Sequence, residues 1–225
     1  MKKQNKKRNL FLRIFDLRYF FYDFVKFTGA IPVILYFRVK TYYLNGKKPK
    51  GLFKGPIIFV SNHMSFLDPV IVSIPLWKRR VSFIATKDLF EKKFWNFFFN
   101  AIKCIPVNKR NVEMRTFKLA KEAIQRGHTI LIFPEGTVES KDEISSFKSG
   151  AVMFSLLCDA PIVQIYLEKK TKWYKRQRLI IGNKIDVSKI LNTKYPTMDE
   201  IQKVTEMLYN QEIELSNAIK LKNNK

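Results

Sequence analysis

The chain has 225 residues, of which 46% are hydrophobic, and its 42 Lys and Arg against 19 Asp and Glu give a net charge of +23. This size allows one large domain with an appendage, and the charge calls for an anionic partner: nucleic acid, an anionic membrane surface or a phosphorylated substrate. Only Cys104 and Cys158 are present, far apart in the chain, so the sequence indicates neither a disulfide framework nor a metal site.

The N-terminal segment, residues 10–43, is rich in aromatic and aliphatic side chains punctuated by basic groups. The uncharged run 27–37 is much shorter than the roughly 20 residues of a spanning helix, so no transmembrane segment is expected. The segment can lie in a bilayer interface, or it can be a core helix pair with a solvated basic face. We favour the interface and predict amphipathic membrane-docking helices over residues 1–44. The predicted membrane contacts are Phe11, Phe15, Phe20 and Phe21.

Residues 45–51 form a linker by composition, and short apolar runs alternate with helical patterns after it. This alternation predicts an α/β domain over residues 45–225, with a central, mostly parallel or mixed sheet flanked by helices. The predicted strands are Ile57–Val60, Val81–Ala85, Thr129–Phe133, Ile162–Leu167 and Arg178–Ile181. The predicted helices are Asn111–Arg126, which Gly127 ends, Ser149–Cys158, and one that begins at the capping box Thr197-Met198-Asp199-Glu200.

A histidine and an aspartate, His63 and Asp68, follow directly on the first of these strands. Ligand sites in open α/β sheets lie where strands end. A carboxylate held against one ring nitrogen fixes the tautomer and leaves the other nitrogen to accept a proton. No serine stands on a nucleophile elbow, so such a base would act on a substrate hydroxyl. The alternative is a loop histidine, with Asp68 as a helix N-cap. His128 is predicted to be a loop residue or a helix C-terminal cation.

A second polar turn follows the strand Thr129–Phe133, in the sequence Pro134-Glu135-Gly136-Thr137. Gly136 would let the backbone approach a ligand closely, and Glu135 would offer a carboxylate to substrate hydroxyls. Taken alone, the same residues are equally typical of a tight turn with a solvated glutamate.

The two motifs, N-H-x-S-x-x-D over 62–68 and F-P-E-G-T over 133–137, stand about seventy residues apart. In this order they resemble the glycerolipid acyltransferase family, most closely its 1-acylglycerol-3-phosphate (lysophosphatidic acid) acyltransferases. The resemblance covers roughly residues 10–185, including the N-terminal docking helices. It implies transfer of an acyl chain from a thioester, on coenzyme A or acyl carrier protein, to a lysolipid hydroxyl, with no cofactor.

The resemblance also implies roles for single residues. His63 would be the catalytic base and Asp68 the residue that orients it. Substrate-binding positions would be Lys87, Lys109, Arg110, Glu135, Gly136, Thr137 and Lys148. Of these, Lys87 in K-D-L-F would meet the acceptor phosphate, and the fourth motif, at 161–163, would line the acyl region.

The chain departs from the family pattern at several positions. Val138-Glu139 stand where Arg-Ser usually follows E-G-T, and that arginine is taken to bind phosphate. A valine side chain has no N–H groups to donate to a phosphate, although Lys148 could compensate. Gln164 stands where the fourth motif has its second proline. These departures leave His63 and Asp68 intact and concern the acceptor.

The expected function is therefore acyl transfer to the sn-2 hydroxyl of 1-acylglycerol-3-phosphate, giving phosphatidic acid in phospholipid biosynthesis. The expected partners are membrane lipids, lysophosphatidic acid and acyl-CoA or acyl carrier protein, at the cytoplasmic face of the cell membrane. No nucleic acid is expected as a partner. The alternatives are a different lysolipid acceptor, a non-enzymatic basic nucleic-acid-binding protein, or an inactive family member kept as a membrane scaffold.

Overall fold

The computed structural model describes residues 19–108, 112–136, 144–170, 174–193 and 195–222. Within these ranges seven strands form one sheet: β1 Lys40–Tyr43, β2 Ile58–Ser61, β3 Val81–Thr86, β4 Ile105–Val107, β5 Thr129–Ile132, β6 Ile162–Leu167 and β7 Arg178–Ile185. The α-helices described are α1 Phe20–Phe37, α2 Asp68–Ser73, α3 Lys93–Ala101, α4 Met114–Gln125, α5 Gly150–Cys158, α6 Val187–Leu191 and α7 Met198–Leu221. Single 3₁₀ turns cover Ile74–Leu76 and Lys87–Phe90.

The strand order across the sheet is β1-β7-β6-β2-β5-β3-β4. Five neighbours, from β6 to β4, run parallel, whereas β7 is antiparallel to β6 and β1 is parallel to β7. Parallel strands place their carboxyl ends at one edge of the sheet. The polar turns after β2, β3 and β5 therefore lie along a common edge. The predicted mixed α/β fold is confirmed.

Helices cover both faces because the central strands are apolar on both sides. In β2, Ile58 and Val60 face a cluster that contains Phe117 of α4 and Phe154 of α5, whose ring centroids lie 4.5 Å apart. Phe59 of β2 faces the opposite cluster, which includes residues of α2. The result is a three-layer core, and its fully buried central strands hold the turns that follow them in fixed positions.

The predicted strands all occur, with ends shifted by at most one residue except at β7, which continues to Ile185. The capping box of α7 is also confirmed, since Thr197 and Glu200 exchange side-chain to backbone hydrogen bonds. Strand β1 lies inside residues 1–44, the range predicted to dock on a membrane, so the sheet begins before the expected boundary. His128 is buried, with its Nδ1 2.9 Å from Ser82 Oγ, and is thus a packed residue rather than an exposed helix-end cation.

The N-terminal helix α1 runs unbroken through Gly29 and Pro32. Its 18 residues have the length and apolar composition that could cross a membrane, by those two criteria alone. The uncharged run 27–37 alone is shorter than this. The helix reaches the length because it begins earlier, at Phe20, and therefore includes Asp23 and Lys26. Any helix before it, with Phe11 and Phe15, lies outside the described residues.

One side of α1 packs on the α/β domain. The Tyr22 hydroxyl accepts from the Val81 backbone N–H at 2.7 Å and donates to its carbonyl at 3.0 Å. Asp23 pairs with Arg80 at 2.8 Å. The other side is an exposed apolar stripe at helical spacing: Phe20, Phe24, Phe27, Ile31 and Leu35. Helix α1 is therefore anchored to the domain while it presents an apolar surface to its surroundings.

Candidate active site

The site begins where β2 ends. Asn62, the next residue, is buried, and its side chain forms two hydrogen bonds to the end of β6: its Nδ2 donates to the Leu167 carbonyl at 3.0 Å, and its Oδ1 accepts from the Leu167 N–H at 2.8 Å. These bonds fix the backbone on which His63 stands. The His63 ring then stacks on Phe133, which follows β5, with ring centroids 4.1 Å apart and planes 23° apart.

Asp68 lies 3.1 Å from His63, measured from its Oδ2 to Nδ1 of the ring, and only 3% of its side-chain surface is exposed. The backbone N–H groups of Met64 and Ser65 donate to the same oxygen, each at 2.6 Å. Three donors therefore converge on one carboxylate oxygen at the first turn of α2. An ionised carboxylate can only accept, so this arrangement places the proton on Nδ1 and makes Nε2 the basic nitrogen.

The second polar turn lies beside this pair because β5 is the neighbour of β2. Glu135 is buried, and Gly136 has a φ of +75°, a conformation that favours glycine. A Cβ on Gly136 would lie 2.8 Å from Nζ of Lys148. Lys148 also donates its backbone N–H to the Pro134 carbonyl at 3.0 Å. The turn thus combines a buried acid, a glycine against which the Lys148 side chain lies, and the ammonium group of that exposed lysine.

Lys87 follows β3 at the same edge of the sheet, and it is half exposed. Its ammonium group forms an ion pair with Glu113, a contact that was not predicted from the sequence. The two residues line a cavity of about 230 Å³ together with Asn96, Arg115 and others. A half-exposed pair of this kind contributes about 1 kcal/mol or less, so an incoming phosphate can displace the glutamate.

Several expected site residues lie outside the described residues: Lys109, Arg110 and Thr137, together with the departures Val138 and Glu139. Among the described residues, His63 and Asp68 follow β2, and Glu135 and Gly136 follow its neighbour β5. Lys87 follows β3, which is the next strand beyond β5, so all of them lie on the side of the sheet where these strands end. Within the described ranges, no three His, Cys, Asp or Glu side chains are grouped so that they could hold a metal ion.

The fourth motif contributes buried residues to the sheet. Ile162 and Val163 of β6 are fully buried in the core clusters on its two faces. Gln164 is also buried, and its Nε2 donates to Glu212 Oε2 of α7 at 3.0 Å. Sequence reasoning did not find Glu212, since an acid on a helix 48 residues further along gives no local signal.

A model of the acyltransferase family matches residues 38–168 of the chain. A relative described as a probable 1-acyl-sn-glycerol-3-phosphate acyltransferase, from Mycoplasma pneumoniae, is 28% identical over 68% of the chain, and the match spans 62% of that relative's length. The 1-acyl-sn-glycerol-3-phosphate acyltransferase of Bacillus subtilis is 24% identical over 85% of the chain and 96% of its own.

The fold is similar to the crystal structure of the 1-acyl-sn-glycerophosphate acyltransferase of Thermotoga maritima. The two superpose with a TM-score of 0.60 at 20% sequence identity, over 91% of this chain and 81% of that one. At this identity the likeness establishes the α/β architecture described above.

Proposed function

The chain belongs to the acyltransferase family, and from this premise we propose that it transfers a fatty acyl chain from acyl-CoA or acyl carrier protein to the sn-2 hydroxyl of 1-acylglycerol-3-phosphate. The product would be phosphatidic acid, an intermediate of phospholipid synthesis. The observation that carries the proposal is the contact between His63 and Asp68 at the carboxyl end of β2. Relatives named as 1-acyl-sn-glycerol-3-phosphate acyltransferases support the choice of acceptor.

In the proposed reaction, Nε2 of His63 takes the proton of the acceptor hydroxyl as the oxygen attacks the thioester carbonyl. The tetrahedral intermediate collapses with cleavage of the C–S bond, and the imidazolium returns the proton to the departing thiolate. Asp68 stabilises the imidazolium while it exists. No covalent enzyme intermediate is required, because thiolate is a good leaving group.

The acceptor would be held by groups along the same edge. Gly136 lets the Lys148 side chain lie against the turn, and Glu135 offers a carboxylate to the hydroxyls of the glycerol moiety. Lys87 and Lys148 supply ammonium groups for the phosphate. Lys109, Arg110 and Thr137 complete the proposed binding residues by their positions in the motifs. Lysine binds phosphate less directionally than arginine, whose planar guanidinium can donate two hydrogen bonds at once. Residue 138, where the family usually has arginine, is a valine in this chain.

The test is acyl transfer from labelled acyl-CoA and, separately, from acyl carrier protein, with lysophosphatidate as acceptor in mixed vesicles. We expect labelled phosphatidic acid with at least one donor. A panel of lysolipids with other headgroups tests the alternative that Val138 favours. Transfer to another lysolipid, with none to lysophosphatidate, would replace the acceptor but keep the acyltransferase. No transfer to any acceptor by folded protein would refute the proposal.

We further propose that the protein is membrane-associated and monotopic, on the cytoplasmic face, and that α1 contacts the lipid. Replacement of Phe20, Phe24 and Leu35 by Ser removes three of the five exposed side chains of the apolar stripe. Since each large apolar side chain contributes about 1.5–3 kcal/mol when buried, vesicle binding should fall by at least about tenfold. Co-sedimentation with anionic vesicles measures this loss. Tyr195→Ser, at another exposed aromatic residue, is the control, and equal binding by both variants would contradict the role of α1.

A further inference from the structure

A carboxyl group on the C-terminal helix is completely buried beneath the site. Glu212 of α7 has no exposed surface, and Gln164 of β6 is 2% exposed. The Gln164 amide donates to Oε2 of Glu212 at 3.0 Å and to the Leu208 carbonyl, one turn earlier in α7, at 2.6 Å. Both amide hydrogens are therefore used to join α7 to the sheet. Oε1 of Glu212 has no hydrogen-bond partner within the described part of the chain.

This contact lies next to the strand ends that carry the site. Gln164 is paired in register with Val60 of β2, two residues before Asn62. The backbone N–H of Asn62 is close enough to the Glu212 carboxyl to favour its ionised form, and the charge of Glu135, after β5, disfavours that form. The groups that act on this carboxyl are thus Gln164 in β6, the Asn62 backbone directly after β2, and Glu135 in the turn after β5.

Residue 164 of this chain departs from the family's fourth motif. The family's fourth motif has proline where Gln164 stands, and proline carries no amide to donate. Helix α7 also lies beyond the region that the family model matches. A proline at position 164 could not donate the hydrogen bond that Gln164 donates to Glu212 in this chain.

We propose that Glu212 is a positioning residue for the acyl transfer proposed above: as a neutral acid bound by Gln164, it holds the end of β2, and with it His63, in its working place. Ionised Glu212 would put a second buried negative charge beside Glu135. The strand ends would then separate or admit water, and His63 would lose its alignment with the acceptor hydroxyl.

The protonation state follows from the surroundings. Burial, and to a lesser extent the charge of Glu135, raises the pKa of Glu212 from 4.5 to about 8, so the group is neutral at pH 7. In the unfolded chain the same carboxyl ionises near pH 4.5. Its contribution to stability is therefore complete below that pH and is lost progressively as the pH rises to about 8.

The decisive measurement is the pH dependence of kcat for wild type, Glu212→Gln and Glu214→Gln. Glutamine has the shape of the neutral acid but does not ionise, and Glu214 is an exposed acid on the same helix. One pH unit above its pKa a group is about one-tenth protonated, so wild-type kcat should fall about tenfold between pH 7 and pH 9. Glu214→Gln should follow the wild type. Glu212→Gln should keep near-wild-type kcat at pH 7 and lack the alkaline fall. An alkaline fall that is unchanged in Glu212→Gln would overturn the proposal.

A second variant tests the contact from the strand. Gln164→Met removes the amide while keeping an unbranched apolar side chain, and we expect kcat to fall about tenfold at pH 7 with KM within about twofold. Unchanged kcat in a folded Gln164→Met protein would contradict the positioning role.

Thermal unfolding separates failure of this inference from failure of the proposed function. The melting temperature of wild type should decline between pH 5 and pH 8 relative to that of Glu212→Gln, whatever substrate the protein uses. If the melting temperatures of the two proteins change equally with pH, the protonation of Glu212 is not coupled to folding. If the melting temperatures diverge with pH but the protein transfers no acyl group to any acceptor, the proposed reaction is rejected instead.

Discussion

Replacement of His63 by Ala is expected to lower kcat for acyl transfer by about 10²–10⁴-fold, the usual contribution of a general base. The ring is the group that can receive the hydroxyl proton in the proposed site, because its Nδ1 is engaged by Asp68 and its other nitrogen is basic. The effect should appear in kcat more than in KM, since the proton moves only as the transition state forms. Steady-state transfer to vesicle-bound lysophosphatidate measures both constants.

His128 supplies the matched control for this substitution. It is the other histidine of the chain, and it precedes β5, at the end of the sheet opposite to the site. His128→Asn should retain kcat within about threefold, since the Ser82 contact involves no reacting group. Activity of His63→Ala close to that of the wild type would show that another group takes the proton, and the base assignment would be wrong.

Replacement of Asp68 by Asn should lower kcat by about 10²-fold or more, the second largest effect that we expect. The amide keeps the size of the side chain but cannot stabilise the imidazolium, and it can present an N–H where Nδ1 requires an acceptor. The loop 63–68 also depends on this carboxylate, because Met64 and Ser65 donate to it. Transfer assays and urea unfolding on the same samples measure the two consequences.

Asp68→Ala separates alignment from loop structure. It leaves both backbone donors without their acceptor, and hydrogen bonds to charged groups contribute about 1.5–3 kcal/mol each. We therefore expect Ala to lower the free energy of unfolding more than Asn, whereas both should lower kcat. If Asn at this position left kcat unchanged, the carboxylate would be required for the loop alone.

The inner strands of the sheet could be predicted from the sequence, but its two outermost strands could not. The five predicted strands are buried or central, and their runs of β-branched residues carry a strong signal. The two missed strands, β1 and β4, are the two edges of the sheet. Strand β1 reads Lys-Thr-Tyr-Tyr, and β4 has only three residues and contains Pro106, so neither carries a strong strand signal. Edge strands pair on one side only and tolerate such residues, and their partners are chosen by tertiary contacts.

The same distinction applies to the site. The contact between His63 and Asp68 could be predicted because they are five positions apart, within the reach of one turn. The stacking of His63 on Phe133 and the burial of Glu212 against Gln164 depend on the strand order and on helix packing. The Lys87 ion pair with Glu113 joins the turn after β3 to the residue before α4, which are 26 residues apart in the sequence. None of these contacts leaves a pattern within a short window of sequence.

The pairing of β1 with β7 has a consequence for synthesis of the protein. Strand β1 begins within three residues of the end of α1, but its partner strand is about 140 residues further along the chain. A ribosome adds roughly 5–20 residues per second, so the partner emerges on the order of ten seconds later. During that interval the apolar stripe of α1 is present and the sheet is incomplete. If α1 contacts lipid as proposed, the nascent chain would meet the bilayer through α1 first and complete its sheet at the membrane surface.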